Sequence, residues 1–174
     1  MLRRSAVLFT ASAAVTALTC APAAADLDLL TCGGTHTVTY DPGLRLFGQT
    51  VDIAFTDSFT SCSALSDPTL TSGLLTGSVT LPNYSCLSPV NTDDIDETVT
   101  WNNGQSSTFH YSRVYGSVDG NSVITSTGTV TSGKFAGATA VKVVTGLNLN
   151  LLACLFAPGV PGNTGTITLA LTSL

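Results

Sequence analysis

Thr35-His36-Thr37-Val38-Thr39-Tyr40 alternates with a period of two, the repeat of a pleated strand rather than a helix. The same alternation runs through Val51-Asp52-Ile53-Ala54-Phe55-Thr56 and Gly165-Thr166-Ile167-Thr168-Leu169-Ala170-Leu171. Threonine and valine suit such runs, because their branched Cβ atoms pack on a pleated surface with little rotamer loss. Turn formers separate them: Asp41-Pro42-Gly43, Asn102-Asn103-Gly104, Asp119-Gly120-Asn121 and Pro158-Gly159-Val160-Pro161-Gly162-Asn163. In residues 145–156, Leu147, Leu149 and Leu151 alternate with Asn148 and Asn150, which predicts another strand. No helical period lasts three turns. About eight or nine strands in a chain of this length predict an all-β fold. The expected form is an antiparallel β-sandwich of immunoglobulin-like or Greek-key type, with a small closed β-barrel as the alternative.

The chain also resembles itself. Thr69-Leu70-Thr71-Ser72-Gly73-Leu74-Leu75-Thr76-Gly77 returns 60 residues later as Thr129-Val130-Thr131-Ser132-Gly133-Lys134-Phe135-Ala136-Gly137. A cysteine followed by a Thr-x-Thr strand ending in a large apolar residue occurs at Cys32 with Tyr40, Cys86 with Trp101, and Cys154 with Leu169. These matches predict an internal duplication, with units at about 30–81 and 84–151 and a closing strand at 164–171. They also make Tyr40, Trp101 and Leu169 packing residues.

The N-terminus reads as an export signal covering residues 1–25. Arg3 and Arg4 precede an apolar stretch from Ser5 to Thr19 that is too short to span a bilayer, and Ala23-Ala24-Ala25 supplies a cleavage site before Asp26. Cys20 is a poor lipidation site, because Ala17-Leu18-Thr19 fits a lipobox badly. Removing 25 of the 174 residues leaves a single secreted β domain, residues 26–174, large enough to bury a core. That removal takes two of six basic residues and none of eleven acidic ones, so the mature net charge is −7. Nucleic acid and anionic lipid surfaces are poor partners for such a chain, and no membrane insertion is expected. The four remaining cysteines suit an oxidising compartment. Folding the strands at residues 35–40 and 50–56 into a hairpin brings Cys32 to Cys62; Cys86 and Cys154, equivalent in the repeat, are left for each other.

Few residues suggest chemistry. His36 sits in a strand whose threonine neighbours face the other way, and His110 lies in Phe109-His110-Tyr111-Ser112-Arg113-Val114-Tyr115. Neither belongs to a Gly-x-Ser-x-Gly or His-Glu-x-x-His motif, and a general base needs an orienting partner and a nucleophile. Asp93-Asp94-Ile95-Asp96-Glu97 lacks the glycine and spacing of a calcium loop, so it reads as a solvated loop. No metal or cofactor is expected. The best candidate contact surface is the stripe Phe109, Tyr111, Arg113 and Tyr115, since aromatic rings beside an arginine suit a sugar or a protein surface. The competing reading is core, because a shift of 60 places Tyr111, Arg113 and Tyr115 on Val51, Ile53 and Phe55.

Thr100-Trp101-Asn102-Asn103-Gly104-Gln105-Ser106-Ser107, the Gly133 motif and Leu151-Leu152-Ala153-Cys154-Leu155-Phe156-Ala157-Pro158-Gly159 resemble segments of small secreted actinomycete proteins, of Streptomyces type, of unknown function. The resemblance spans most of the mature chain; it implies export and brings no activity. The expectation is a non-enzymatic secreted protein that binds or scaffolds, with an extracellular glycan or protein as partner. An inhibitor of an extracellular hydrolase, presenting residues 157–163, is the alternative. A hydrolase built on His110 ranks last.

Overall fold

A computed structural model describes residues 28–88, 93–118, 121–146 and 151–173. The expected signal segment, the Asp119-Gly120 turn and residues Leu147 and Leu149 lie outside them. Eight strands run in order: β1 (Asp28–Leu44), β2 (Gln49–Ala64), β3 (Gly73–Tyr84), β4 (Asp93–Trp101), β5 (Ser106–Val118), β6 (Asn121–Gly133), β7 (Thr139–Thr145) and β8 (Val160–Thr172). Each pairs antiparallel with its successor, and β8 returns to pair with β1, so the sheet closes into a barrel. The barrel therefore replaces the sandwich, and a simple meander replaces the Greek key. Closure removes both sheet edges by pairing them, which a sandwich cannot do. One short 3₁₀ turn, Ala153–Leu155, stands where leucine alternation predicted strand. No described helix is long and apolar enough to cross a membrane.

Alternation sorts the side chains. On β1, Thr31, Thr37 and Thr39 face outward while Leu30, Cys32 and Val38 are buried. On β8, Thr166 and Thr168 are exposed between buried Ile167, Leu169 and Leu171. The outer wall is thus largely threonine and serine and the lumen apolar, the reverse of a lipid-facing barrel.

The two ends of the barrel differ. One holds the β2–β3, β4–β5 and β6–β7 connections and is sealed. Its core joins Phe59, Trp101, Phe109 and Tyr111 with Leu30, Leu75, Val130 and Leu171. Phe135 meets the Trp101 ring edge-on at 6.4 Å, and Trp101 Nε1 donates to Ser107 Oγ at 2.8 Å. Lys134 clasps Asp67 across that end at 2.7 Å. That bond and one from Thr69 hold the Asp67 carboxyl at about 2. The opposite end, the mouth, holds the other four connections and a smaller cluster of Leu44, Val51, Cys154 and Val160.

Cys32–Cys62 joins β1 to β2 near the sealed end, and Cys86–Cys154 ties two connections together at the mouth, the pairing expected from the hairpin and the repeat. The repeat itself is not a repeat of structure. A shift of 60 carries β2 onto β5, yet the two run in opposite directions along the barrel. Thr69 to Ser72 form the approach to β3, whereas Thr129 to Ser132 lie inside β6. The shared glycines serve different ends. Gly73 lets β3 pass against the Trp101 ring, where an added Cβ would sit 2.6 Å from the indole. Gly133 and Gly137, at φ +83° and +91°, make the β6–β7 turn in the left-handed region that favours glycine.

Candidate functional site: the lumen and its mouth

Four charged or ionisable side chains occupy inward positions otherwise held by apolar residues. Asp57 follows Val51, Ile53 and Phe55 on β2; Glu97 lies between Ile95 and Val99 on β4; Lys142 lies between Ala140 and Val144 on β7; His36 precedes Val38 on β1. Asp57, Glu97 and Lys142 are all buried. Such charges are tolerated only when paired, and here they form one chain across the lumen. His36 Nδ1 lies 2.5 Å from Asp57 Oδ1, Lys142 Nζ donates to Asp57 Oδ2 at 3.0 Å, and the same Nζ donates to Glu97 Oε2. The ammonium also lies 5.4 Å from the centre of the Tyr111 ring.

Burial pushes the Asp57 carboxyl up, but the bond to His36 and the Lys142 charge outweigh it and hold the group below its usual range. Burial first, then the charges of Glu97 and Asp57, push the Tyr111 phenol well up. Ser126 Oγ is buried without a hydrogen-bond partner, on a residue whose cross-strand neighbours are Arg113 and Lys142. Lys142 Nζ fills the place between the two carboxylates where a cation would sit. Among the described residues, no three His, Cys, Asp or Glu side chains converge as metal ligands.

Toward the mouth the lumen changes character. Tyr40 on β1, Tyr84 at the end of β3, and Tyr115 and Arg113 on β5 are half-buried. Arg113 faces Asp93 in the β4–β5 register; its Nε donates to Asp93 Oδ1 at 2.8 Å and its Nη2 to the other oxygen. The guanidinium lies 5.9 Å from the centre of the Tyr115 ring. Burial lowers the Arg113 pKa, and the bond to Asp93 more than reverses this, so the net direction is up. The phenols sit close together: burial, then the neighbouring Tyr84 and Tyr115, push Tyr40 up to about 12.

The wall is also incompletely paired beside the mouth. β3 and β4 pair only at Gly73–Trp101 and Leu74–Thr100 and then part. Val79 belongs to the inward-facing set of β3 with Leu75 and Leu81, yet is 46% exposed. Elsewhere the wall carries a shallow threonine-lined concavity over Thr35, Thr145, Thr164 and Thr166.

The candidate contact stripe divides along its length. Phe109 and Tyr111 are core, stacked on each other at 5.2 Å and 0% and 1% exposed, so as contact residues they are corrected. Their inward phase at the middle of β5 puts them in the sealed half. Arg113 and Tyr115, two and four residues further on, reach the mouth. The acidic run is not a loop: it opens β4, with Asp93 on Arg113 and Glu97 in the lumen. His110 Nδ1 meets Asp96 Oδ1 at 2.8 Å, but both are more than half exposed on the outer wall. Among the described residues, no serine is bonded to that imidazole. Of the segment 157–163, Val160 to Asn163 already belong to β8, and Val160 is buried.

Sequence reasoning did not single out Asp57, Glu97 or Lys142 as a set. The signal was present, since each interrupts an apolar inward phase and their charges are complementary. Tyr40 and Tyr84 join Tyr115 only through the barrel register, which no local pattern reveals. No protein-family model matches this chain, and no curated protein or solved structure matches it either.

Proposed function

We propose that this chain is a secreted, non-enzymatic binding protein whose partner seats at the tyrosine-lined mouth. The observation that carries the reading is the convergence of half-buried Tyr40, Tyr84, Tyr115 and Arg113 at one end of the lumen, beside the stretch where β3 and β4 have parted. The mouth of a barrel is a common place for a ligand, and phenol rings offer both an apolar face and a hydroxyl. Those groups suit the alternating C–H faces and hydroxyls of an extracellular glycan. Two disulfides are compatible with an oxidising, extracellular setting. Neither imidazole supports a catalytic role: the His36–Asp57 pair is held in a buried ion chain, and His110–Asp96 stands exposed on the wall.

Calorimetric titration against soluble glycans and wall polymers tests the reading. Binding that weakens about tenfold in Tyr84→Ala or Tyr115→Ala is the expected result, in line with one lost aromatic anchor. Silence across the panel, with unchanged tyrosine fluorescence, would sink it. A second reading, hydrolase inhibition, draws on exposed Leu155 and Phe156 directly after the disulfide-held Cys154. Unimpaired activity across a panel of secreted proteases would end that idea.

A further inference from the structure

The rim of the mouth carries a second feature, independent of the tyrosines within it. Phe47, Leu87, Leu151, Leu152, Leu155 and Phe156 are all at least half exposed, Phe47 at 85% and Phe156 at 69%. They come from three separate segments that the fold brings together. Leu46 N donates to Cys154 O at 3.2 Å, Cys86 N donates to Arg45 O at 2.9 Å, and Cys86 is bonded to Cys154. Beneath them Leu44, Val51, Cys154 and Val160 form a buried base, so the protruding side chains stand on a fixed platform. Six of the twelve large exposed apolar side chains among the described residues, including both phenylalanines, gather at this one end, and such a gathering marks a contact surface.

We propose that this rim docks the protein shallowly on a lipid bilayer interface. Charge is the first argument. Across residues 44–48, 84–88 and 151–158 the sole ionisable groups besides the Tyr84 phenol belong to Arg45, and there is no carboxylate, in a chain with eleven acidic and six basic residues. An apolar surface bearing one cation and no anion fits a layer of acyl chains under phosphate headgroups, with Arg45 reaching the phosphates. A second copy fits worse, because a two-fold contact would gather both Arg45 side chains with no carboxylate in the patch to neutralise them. Shape is the second argument: tips from three segments make an uneven surface, to which fluid chains conform without a complementary mould. The threonine wall keeps the rest of the barrel out of the hydrocarbon.

The test is cosedimentation of the exported, processed protein with phosphatidylcholine vesicles, alone and with added phosphatidylglycerol. Its N-terminus is checked by mass spectrometry, so that the apolar Ser5 to Thr19 stretch contributes nothing. The protein is expected to pellet with vesicles, and the Phe47→Ser/Phe156→Ser variant to partition about tenfold less for each ring removed. Leu65→Ser and Leu74→Ser, which remove exposed leucines away from the rim, should leave partition unchanged. Leu152→Ser serves as a milder rim variant if the double variant loses its fold by circular dichroism. Wild-type protein left in the supernatant with both vesicles overturns the proposal, as does a rim variant that pellets like wild type. A dimer in vesicle-free buffer that the rim variant dissociates would assign the patch to a second copy and also overturn it. Glycan titration reads the tyrosines separately, so failure of one site is distinguishable from failure of the other.

Discussion

The two ends of this barrel are built from the same alternating strands and reach opposite outcomes. At the sealed end, inward positions hold Phe59, Trp101, Phe109 and Leu171, all almost fully buried, and the turns are clasped by Lys134–Asp67 and by the Trp101–Ser107 bond. At the mouth a small cluster of Leu44, Val51, Cys154 and Val160 is buried, but Tyr40, Tyr84, Tyr115 and Arg113 are not fully so, and the surrounding connections put Phe47, Leu87, Leu152 and Phe156 into solvent. One end spends its aromatic residues on packing. The other leaves hydroxyls and a guanidinium within reach of water and bare hydrocarbon exposed, and of these the hydrocarbon gains most from being covered. Between the ends, the chain from His36 to Glu97 marks the boundary.

The contrast can be broken most forcefully at Trp101. Trp101→Ala should destabilise the fold by about 4 kcal/mol, within the range for an aromatic cut from a packed core. Tyr115→Ala at the mouth should cost less, about 1.5 kcal/mol, because that ring is only partly buried. Denaturant unfolding measures both; equal losses would erase the distinction between the ends. Lys142→Met probes the boundary and should cost about 3 kcal/mol, since it leaves Asp57 and Glu97 buried without their cation. Replacing all three residues by apolar ones of similar volume should recover most of that loss. A triple variant as unstable as the single one would show that the ion chain is not what the lysine supports.

Acid sharpens the same boundary. Because the Asp57 carboxyl is held below its unfolded value, its contribution is complete above about pH 4 and is lost as pH falls through the lower folded value. The melting temperature should drop along that limb. Asp67, held at about 2, adds to the same limb from the sealed end. Asp57→Asn and Asp67→Asn should each flatten part of it, and an acid limb untouched by Asp57→Asn contradicts the assignment. The alkaline side gives the smallest effect. With Tyr40 raised to about 12, folded stability should hold to about pH 10 and then decline as the unfolded phenol ionises first. Absorbance at the tyrosinate band should show phenols titrating above their ordinary range with Tyr111 last, and Tyr40→Phe should remove one late step while leaving that of Tyr111.

Much of the architecture can be read from residues alone, and the reason is local. The runs at residues 35–40, 51–56 and 165–171 alternate because each strand has one wet face and one dry face, whatever the sheet does next. Cys32 and Cys62 meet because hairpin geometry is also local. Barrel and sandwich share these patterns, and what separates them is the pairing of β1 with β8, a contact between the two ends of the chain. Likewise Phe109 and Tyr111 are core while Tyr115 is not, a difference set by depth along the lumen rather than by phase. Leu151 and Leu155 kept their apolar character but lost the strand, because this segment bends around Cys154 in a short 3₁₀ turn. The Thr-Ser-Gly match misled for a related reason: similar residues met different backbone requirements at Gly73 and Gly133.

Hydroxyl-radical footprinting read by mass spectrometry tests the division between the ends most directly, in one sample. The predicted result is rapid oxidation of Phe47, Leu152 and Phe156, slower oxidation of Tyr40, Tyr84 and Tyr115, and near-complete protection of Trp101, Phe109 and Tyr111. Protection of Phe47 and Phe156 in the free monomer, or labelling of Trp101 at the rate of Phe47, would contradict it.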